Sequence, residues 1–305
     1  MYPIKFKPIY KNVIWGGQRL AEIFARNIPS ERIGESWEIS QNEYGVSIVS
    51  NGPLQGMSIE TLLMKNEKAI LGNKKLIDGK FPLLIKYIDA HDNLSIQVHP
   101  DDQYAYAVEG GAGKTEAWYI VAAKEDARII YGLKENMSRQ MIAEYICTGH
   151  IDNILHVIPV KTGDLYFIPP GTVHAILEGI VVCEVQQNSN LTYRLYDYNR
   201  TDKDGNVREL HIDQALDVIC CEKADDLPMH RTITCKYFFI RHCEVQNEEL
   251  IRLDNQFCIL CVLKGEGHIH YNDTQESVRA GETILLPACL EKVMLVGSLS
   301  CLKIR

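Results

Sequence analysis

Gln97, His99, Glu116 and His174 bring an amide carbonyl, two imidazoles and a carboxylate into 78 positions of the chain. Each is a ligand type for a divalent transition metal. The first pair lies in Leu94-Ser95-Ile96-Gln97-Val98-His99-Pro100, where apolar residues at 94, 96 and 98 alternate with polar ones at 95, 97 and 99. Side chains alternate across a strand, so Gln97 and His99 leave it on the same face. Glu116 follows in Gly113-Lys114-Thr115-Glu116-Ala117-Trp118, and His174 in Pro169-Pro170-Gly171-Thr172-Val173-His174. The four together suit a Zn²⁺ shell with room for a water or a substrate oxygen.

Strands must position these groups, and strand-like runs dominate. They fall at 46–49, 81–88, 117–121 and 180–185, with helical patterns at about 59–71, 135–147 and 211–219. Ser58 is a capping residue for the first helix, but Thr61 in place of Glu or Gln leaves the capping box incomplete. The polar, proline-containing stretch 221–230 reads as a linker, giving one unit over 1–225 and a smaller all-β unit over 231–305.

The two units share a pattern. Gly163-Asp164-Leu165-Tyr166-Phe167-Ile168-Pro169 matches Gly281-Glu282-Thr283-Ile284-Leu285-Leu286-Pro287: a turn glycine, an acid, a four-residue strand and a proline. The first copy continues to His174. The second continues Ala288-Cys289-Leu290-Glu291-Lys292, so the scaffold repeats and the metal position does not. His268 and His270 have the spacing of a ligand pair, but nothing in the second copy completes a set and they read as ordinary histidines.

Gly-x5-Pro-x-Gly-x2-His at 163–174 is similar to the second motif of cupins, small double-sheet jelly rolls. Gln97-Val98-His99-Pro100 stands where a cupin's first histidine pair falls. With Trp15-Gly16-Gly17, Gly34-Glu35-Ser36-Trp37-Glu38, Lys114-Thr115-Glu116 and Tyr193-Arg194-Leu195-Tyr196-Asp197-Tyr198, nearly the whole chain resembles the type I mannose-6-phosphate isomerases, in their short bacterial form. The resemblance implies a mainly β double cupin, a jelly-roll β-sandwich with helical insertions in the N-terminal part. It implies one zinc ion per chain on Gln97, His99, Glu116 and His174, an essential Arg194, and interconversion of mannose 6-phosphate and fructose 6-phosphate through a cis-enediol. One departure is Ile176, where the family commonly has tyrosine.

Such chemistry needs a proton carrier and stabilisation of an enediolate. Arg194 can stabilise that charge or grip a phosphate; alternatively it is a surface partner of Asp197. Lys114 is two residues from Glu116 and faces the same cavity on an extended segment, as a phosphate ligand or a proton relay. Lys86, at the end of an apolar run, either snorkels or points into the site. Glu184 shares a strand face with Val182 and Gln186, where a carboxylate is costly unless paired, and is a candidate base. Ser95 shares the face of Gln97 and His99, within reach of a phosphate. Glu184, Lys114 and a zinc-bound water are the three choices for moving the proton. Trp15 and Trp37 read as packing residues.

Composition limits the partners. A formal charge of −8 over 305 residues gives no electrostatic case for nucleic acid or anionic membranes. Met1-Tyr2-Pro3-Ile4-Lys5-Phe6 lacks a signal-peptide core, and ten dispersed cysteines read as reduced thiols, so a cytoplasmic monomer or homodimer acting on a small sugar phosphate is expected. Two rivals share the motifs: a cupin metal-dependent oxygenase, and a non-catalytic cupin that binds a sugar phosphate. The amide ligand and the neighbouring Lys and Arg residues speak against the first, and the complete ligand set against the second.

Overall fold

A computed structural model describes residues 1–201, 205–225 and 230–305. Two antiparallel sheets face each other in the N-terminal part. One has six strands in the order Leu165–Ile168, Glu116–Ala123, Ile180–Gln187, Leu83–Ala90, Ile33–Ile39 and Ile9–Gly17. The other has five: Leu155–Pro159, Arg128–Leu133, His174–Ile176, Ile96–Val98 and Tyr193–Tyr196. Ile88, Trp118, Ile120 and Val182 from the first sheet meet Ile129, Tyr131 and Ile176 from the second to form the core between them.

The opposite faces are covered too, which is why these strands read as near-continuous apolar runs. Ile96, Val98, Ile130 and Ala175 lie beneath helices Arg139–Cys147 and Ile212–Val218 through Ile142 and Ala215. Ile85, Tyr87, Tyr119 and Val185 pack against Ile240, Phe257, Ile259 and Leu302 of a third, eight-stranded sheet. That sheet encloses its own core of Cys243, Ile251, Val262, Leu286, Leu295 and Cys301. Strand Ile4–Lys5 belongs to it, pairing with Thr283–Leu286. The expected linker at 221–230 includes residues 226–229, which lie outside the described residues.

The repeated motif forms equivalent strands. Leu165–Ile168 pairs with Glu116–Ala123, and Thr283–Leu286 with Cys258–Tyr271. Both are entered through a glycine in the left-handed region, Gly163 at φ 98° and Gly281 at φ 87°, where a side chain is strained. Beyond the proline the copies part: the first reaches strand His174–Ile176, the second a short 3₁₀ turn, Ala288–Leu290.

The expected helices form over Ile59–Leu71, Arg139–Cys147 and Ile212–Val218. Ser58 caps the first by accepting from Thr61 N, and Ser138 caps the second, which starts four residues later than the periodicity predicts. Two short helices, Arg19–Phe24 and Asp102–Val108, are additional. The strand expected at 46–49 shrinks to Gly45–Val46 followed by isolated bridges at Ile48 and Val49. All ten cysteines are free, and no helix among the described residues is long and apolar enough to cross a membrane.

Phe257 packs against Phe81 with ring centroids 5.0 Å apart and the rings tilted by 45°, and is fully buried where the third sheet meets the N-terminal part. Phe257→Ala is expected to destabilise the protein by about 3–5 kcal/mol, read as a lowered urea midpoint at unchanged slope.

Candidate active site

The site lies between the two N-terminal sheets, and the strand registers assemble it. In the five-stranded sheet Gln97 is paired with His174 on one side and Arg194 on the other, so three side chains 77 and 97 positions apart or closer share one face. In the six-stranded sheet a row runs Trp118, Glu184, Lys86, Trp37, with Glu116 one alternation along from Trp118. His99 follows directly on strand Ile96–Val98.

His99 Nε2 lies 3.5 Å from one oxygen of Glu116, and His174 Nε2 lies 3.4 Å from the other. Gln97 Nε2 is 3.4 Å from His174 Nε2. His174 Nδ1 must donate to Thr172 O at 2.8 Å, since a carbonyl only accepts, and this leaves the Nε2 lone pair facing inward. The Gln97 amide donates to that lone pair; half a turn about its last bond brings Oε1 to the same place. Burial holds the His99 ring well below its usual pKa and lowers His174 to about 4, so both imidazoles are neutral. Burial, and then the charge of Glu184, pushes Glu116 up to about 7.

These donors fit a metal. His99, Glu116 and His174 are all buried, and each offers a ligand atom within 4.8 Å of the others. The 3.5 and 3.4 Å separations run to different oxygens of Glu116, so its carboxylate stands between the two imidazoles with one oxygen toward each. Glu116 Oε1 has no hydrogen-bond donor and Oε2 meets only the Lys114 ammonium, so the buried carboxylate keeps lone pairs free for a cation.

Four further predicted residues join this cluster. Lys114 Nζ lies 2.9 Å from His99 Nε2 and 3.0 Å from Glu116 Oε2, so its ammonium faces the same lone pairs. Lys86 points inward and is fully enclosed, 3.1 Å from Glu184 Oε1. Burial opposes its charge, but Glu184 and Glu35 outweigh that and raise its pKa. The other Glu184 oxygen accepts from Trp118 Nε1 at 3.0 Å. Burial disfavours the Glu184 anion, yet the charges of Lys86 and Lys114 hold its carboxyl below the usual range. Ser95 Oγ is 3.5 Å from Gln97 Oε1.

Arg194 does not pair with Asp197. That buried carboxylate takes Arg200 at 2.5 Å and Arg208 at 3.0 Å instead. Among the described residues Arg194 has no ion pair, and its Nε lacks a hydrogen-bond partner. Burial, and then the charge of Arg208, lowers its pKa. His268 and His270 are exposed on the third sheet. Trp15 packs in the core, whereas Trp37 lies under Lys86 with its ring centroid 5.5 Å from Nζ.

Trp118 and Glu35 touch the site with no role expected from the sequence, and Trp37, expected only to pack, touches it too; Glu35 accepts from Trp37 Nε1 at 2.6 Å and lies 3.9 Å from Lys86. Alternation in Gly34-Glu35-Ser36-Trp37-Glu38 is the signal that puts Glu35 and Trp37 on one face.

Sequence comparison bears directly on this site. A mannose-6-phosphate isomerase of Bacillus subtilis is 38% identical over 312 residues, covering 98% of both chains. The chain belongs to the type I phosphomannose isomerase family. The family models for the type I phosphomannose isomerase catalytic domain and the mannose-6-phosphate isomerase cupin domain match residues 4–116 and 229–305. A mannose-6-phosphate isomerase of Streptococcus mutans is also 38% identical, covering 94% of this chain and 92% of its own. The crystal structure of the mannose 6-phosphate isomerase from Bacillus subtilis superposes over the whole of both chains with a TM-score of 0.93 at 36% identity. Membership of the phosphomannose isomerases makes the chain an isomerase with a cupin fold, and its buried His99, Glu116 and His174 form a cluster that could hold a metal ion.

Proposed function

We propose that the chain interconverts D-mannose 6-phosphate and D-fructose 6-phosphate through a cis-enediol, with one zinc ion held by Gln97, His99, Glu116 and His174. The observation that carries this reading is the meeting of two neutral imidazoles and the buried Glu116 carboxylate with Lys114, Lys86 and Arg194, in the fold of an isomerase family. When bound, zinc supplies Lewis acidity to the sugar oxygens.

The chain's own residues divide the remaining work. With its ammonium proton first lost to solvent, the free amine of Lys114 accepts the C2 proton of the aldose and returns it to C1, while the O2 proton passes to O1. Glu184 is less suited to that step, because both its oxygens are already engaged by Lys86 and Trp118. It acts instead as the buried counter-charge that orients Lys86. Arg194, without an ion pair among the described residues, faces the developing enediolate or the phosphate, and Ser95 and Lys86 border the substrate. We assign this chemistry to residues 1–225 and a metal-free cupin to 231–305, in a cytoplasmic protein whose ten cysteines remain thiols.

Chelator-treated protein is expected to lose fructose 6-phosphate formation in a coupled assay and to regain it with about one equivalent of Zn²⁺. Turnover at the untreated rate by protein verified as metal-free would overturn the reading. Oxygen consumption appearing only with Fe²⁺ would favour the oxygenase.

A further inference from the structure

Lys114 sits in a segment whose backbone is pinned at three successive amides. Gly113 N donates to Asp102 Oδ1 at 3.1 Å, Lys114 N to Pro100 O at 3.0 Å, and Thr115 N to Gln187 Oε1 at 2.9 Å. Two of these three restraints lead to one carboxylate, because Gln187 Nε2 also donates to Asp102 Oδ1, at 2.9 Å. Gln187 N closes the link by donating to Thr115 O. The segment also abuts the start of helix Asp102–Val108: a Cβ on Gly113 would stand 2.4 Å from the backbone carbon of Asp101 and 2.6 Å from Asp102 N.

The other oxygen of Asp102 faces away from the site. It accepts from Lys236 Nζ at 2.9 Å and from Tyr237 Oη at 2.7 Å, both from the connection between strands Thr232–Thr234 and Phe239–Val245 of the third sheet. One carboxylate thus receives four donors: Gly113 N from the active-site segment, Gln187 Nε2 from strand Ile180–Gln187, and two from the C-terminal unit. Burial works against its ionisation, but these donors bring its pKa down to about 2, so it is an anion at every pH at which the protein works. A surface aspartate at a helix start needs no such set, and Asp101 already supplies the cap by accepting from Tyr104 N at 2.8 Å.

We propose that Asp102 is a positioning residue for Lys114, and that the C-terminal unit contributes to turnover by holding Asp102 through Lys236 and Tyr237. This rests on the reading of Lys114 as the proton carrier. A misplacement of about 1 Å in a reacting group costs on the order of 100-fold in rate, so the effect falls on kcat and leaves metal binding intact.

Steady-state kinetics and zinc content on the full chain test this. Asp102→Ala is expected to lower kcat about 10–100-fold, with KM for mannose 6-phosphate within about threefold and zinc stoichiometry unchanged. Asp102→Asn keeps an acceptor for Gly113 and Gln187 and should recover most of the loss. Lys236→Met combined with Tyr237→Phe leaves the active-site side of the network untouched; it should lower kcat about 3–10-fold. This pair also serves if Asp102→Ala does not fold, since Lys236 is 73% exposed. In a Lys114→Met background, Asp102→Ala should remove little further activity, a non-additivity that a general loss of stability does not produce.

Wild-type kcat in Asp102→Ala, an equal fractional loss in both backgrounds, or a loss that follows zinc content would each overturn the proposal. Failure of the underlying reading looks different: Lys114→Met would then turn over normally, and the positioning role would fall with it. An inactive Lys114→Met beside a fully active Asp102→Ala removes only the role of Asp102.

Discussion

His174→Ala protein is expected to purify without zinc and to convert mannose 6-phosphate at less than about a thousandth of the wild-type rate, given that losing even a ligand's supporting hydrogen bond costs 10–100-fold. The ring is fixed on three sides: Nδ1 donates to Thr172 O, Trp118 meets it edge-on at 5.3 Å, and His99 lies 4.7 Å away. Gln97 faces the ring from the neighbouring strand and Glu116 from the opposite sheet. Zinc content by elemental analysis should fall with activity, and added Zn²⁺ should restore neither. Full metal occupancy with normal turnover would remove His174 from the site.

Arg194→Ala should do the reverse: keep its zinc and lose about 10²–10³-fold in kcat/KM, the scale of one charge-stabilising donor. Arg194→Lys should recover little, because an ammonium lacks the forked, planar donor set. The stability change carries an additional sign. The pKa of Arg194 is lowered in the folded state by burial and by Arg208, so folding disfavours its charge. No ion pair among the described residues offsets this. Arg194→Ala should therefore melt no earlier than wild type, whereas a structural arginine would cost stability on removal. Normal kcat/KM, or a clear drop in melting temperature, would contradict the assignment.

The site was legible where its chemistry follows local alternation. Gln97 and His99, or Lys114 and Glu116, declare a shared face within three residues, and the turn glycine and prolines around His174 mark its strand. What local pattern cannot supply is the partner across a sheet. Glu184 is next to Lys86 although 98 residues separate them, and only that register shows the carboxylate meeting the ammonium. Asp197 illustrates the same limit: Arg194 and Arg200 are each three residues from it, and the fold pairs it with Arg200 and Arg208. Helix Asp102–Val108 was missed because only Ala105 in it is buried, so it carries almost no apolar periodicity. The third sheet was anticipated from the Gly163/Gly281 repeat. The contribution of strand Ile4–Lys5 to it was not, since two residues hold no pattern.

That short strand has a consequence for how the protein reaches its native state. Ile4 and Leu285 are partners across about 280 residues, and at about 5–20 residues per second a ribosome takes tens of seconds or less to bridge that gap. Throughout that interval the outer face of the six-stranded sheet, with Ile85, Tyr87, Tyr119 and Val185, has no third sheet to cover it. The nascent chain then carries an apolar surface that only its later part can close, in a topology of long-range pairings that folds slowly. Chaperone binding during synthesis is expected from this topology rather than from the chemistry of the site, and crosslinking to ribosome-bound chains should find it greatest in those that stop short of residue 258.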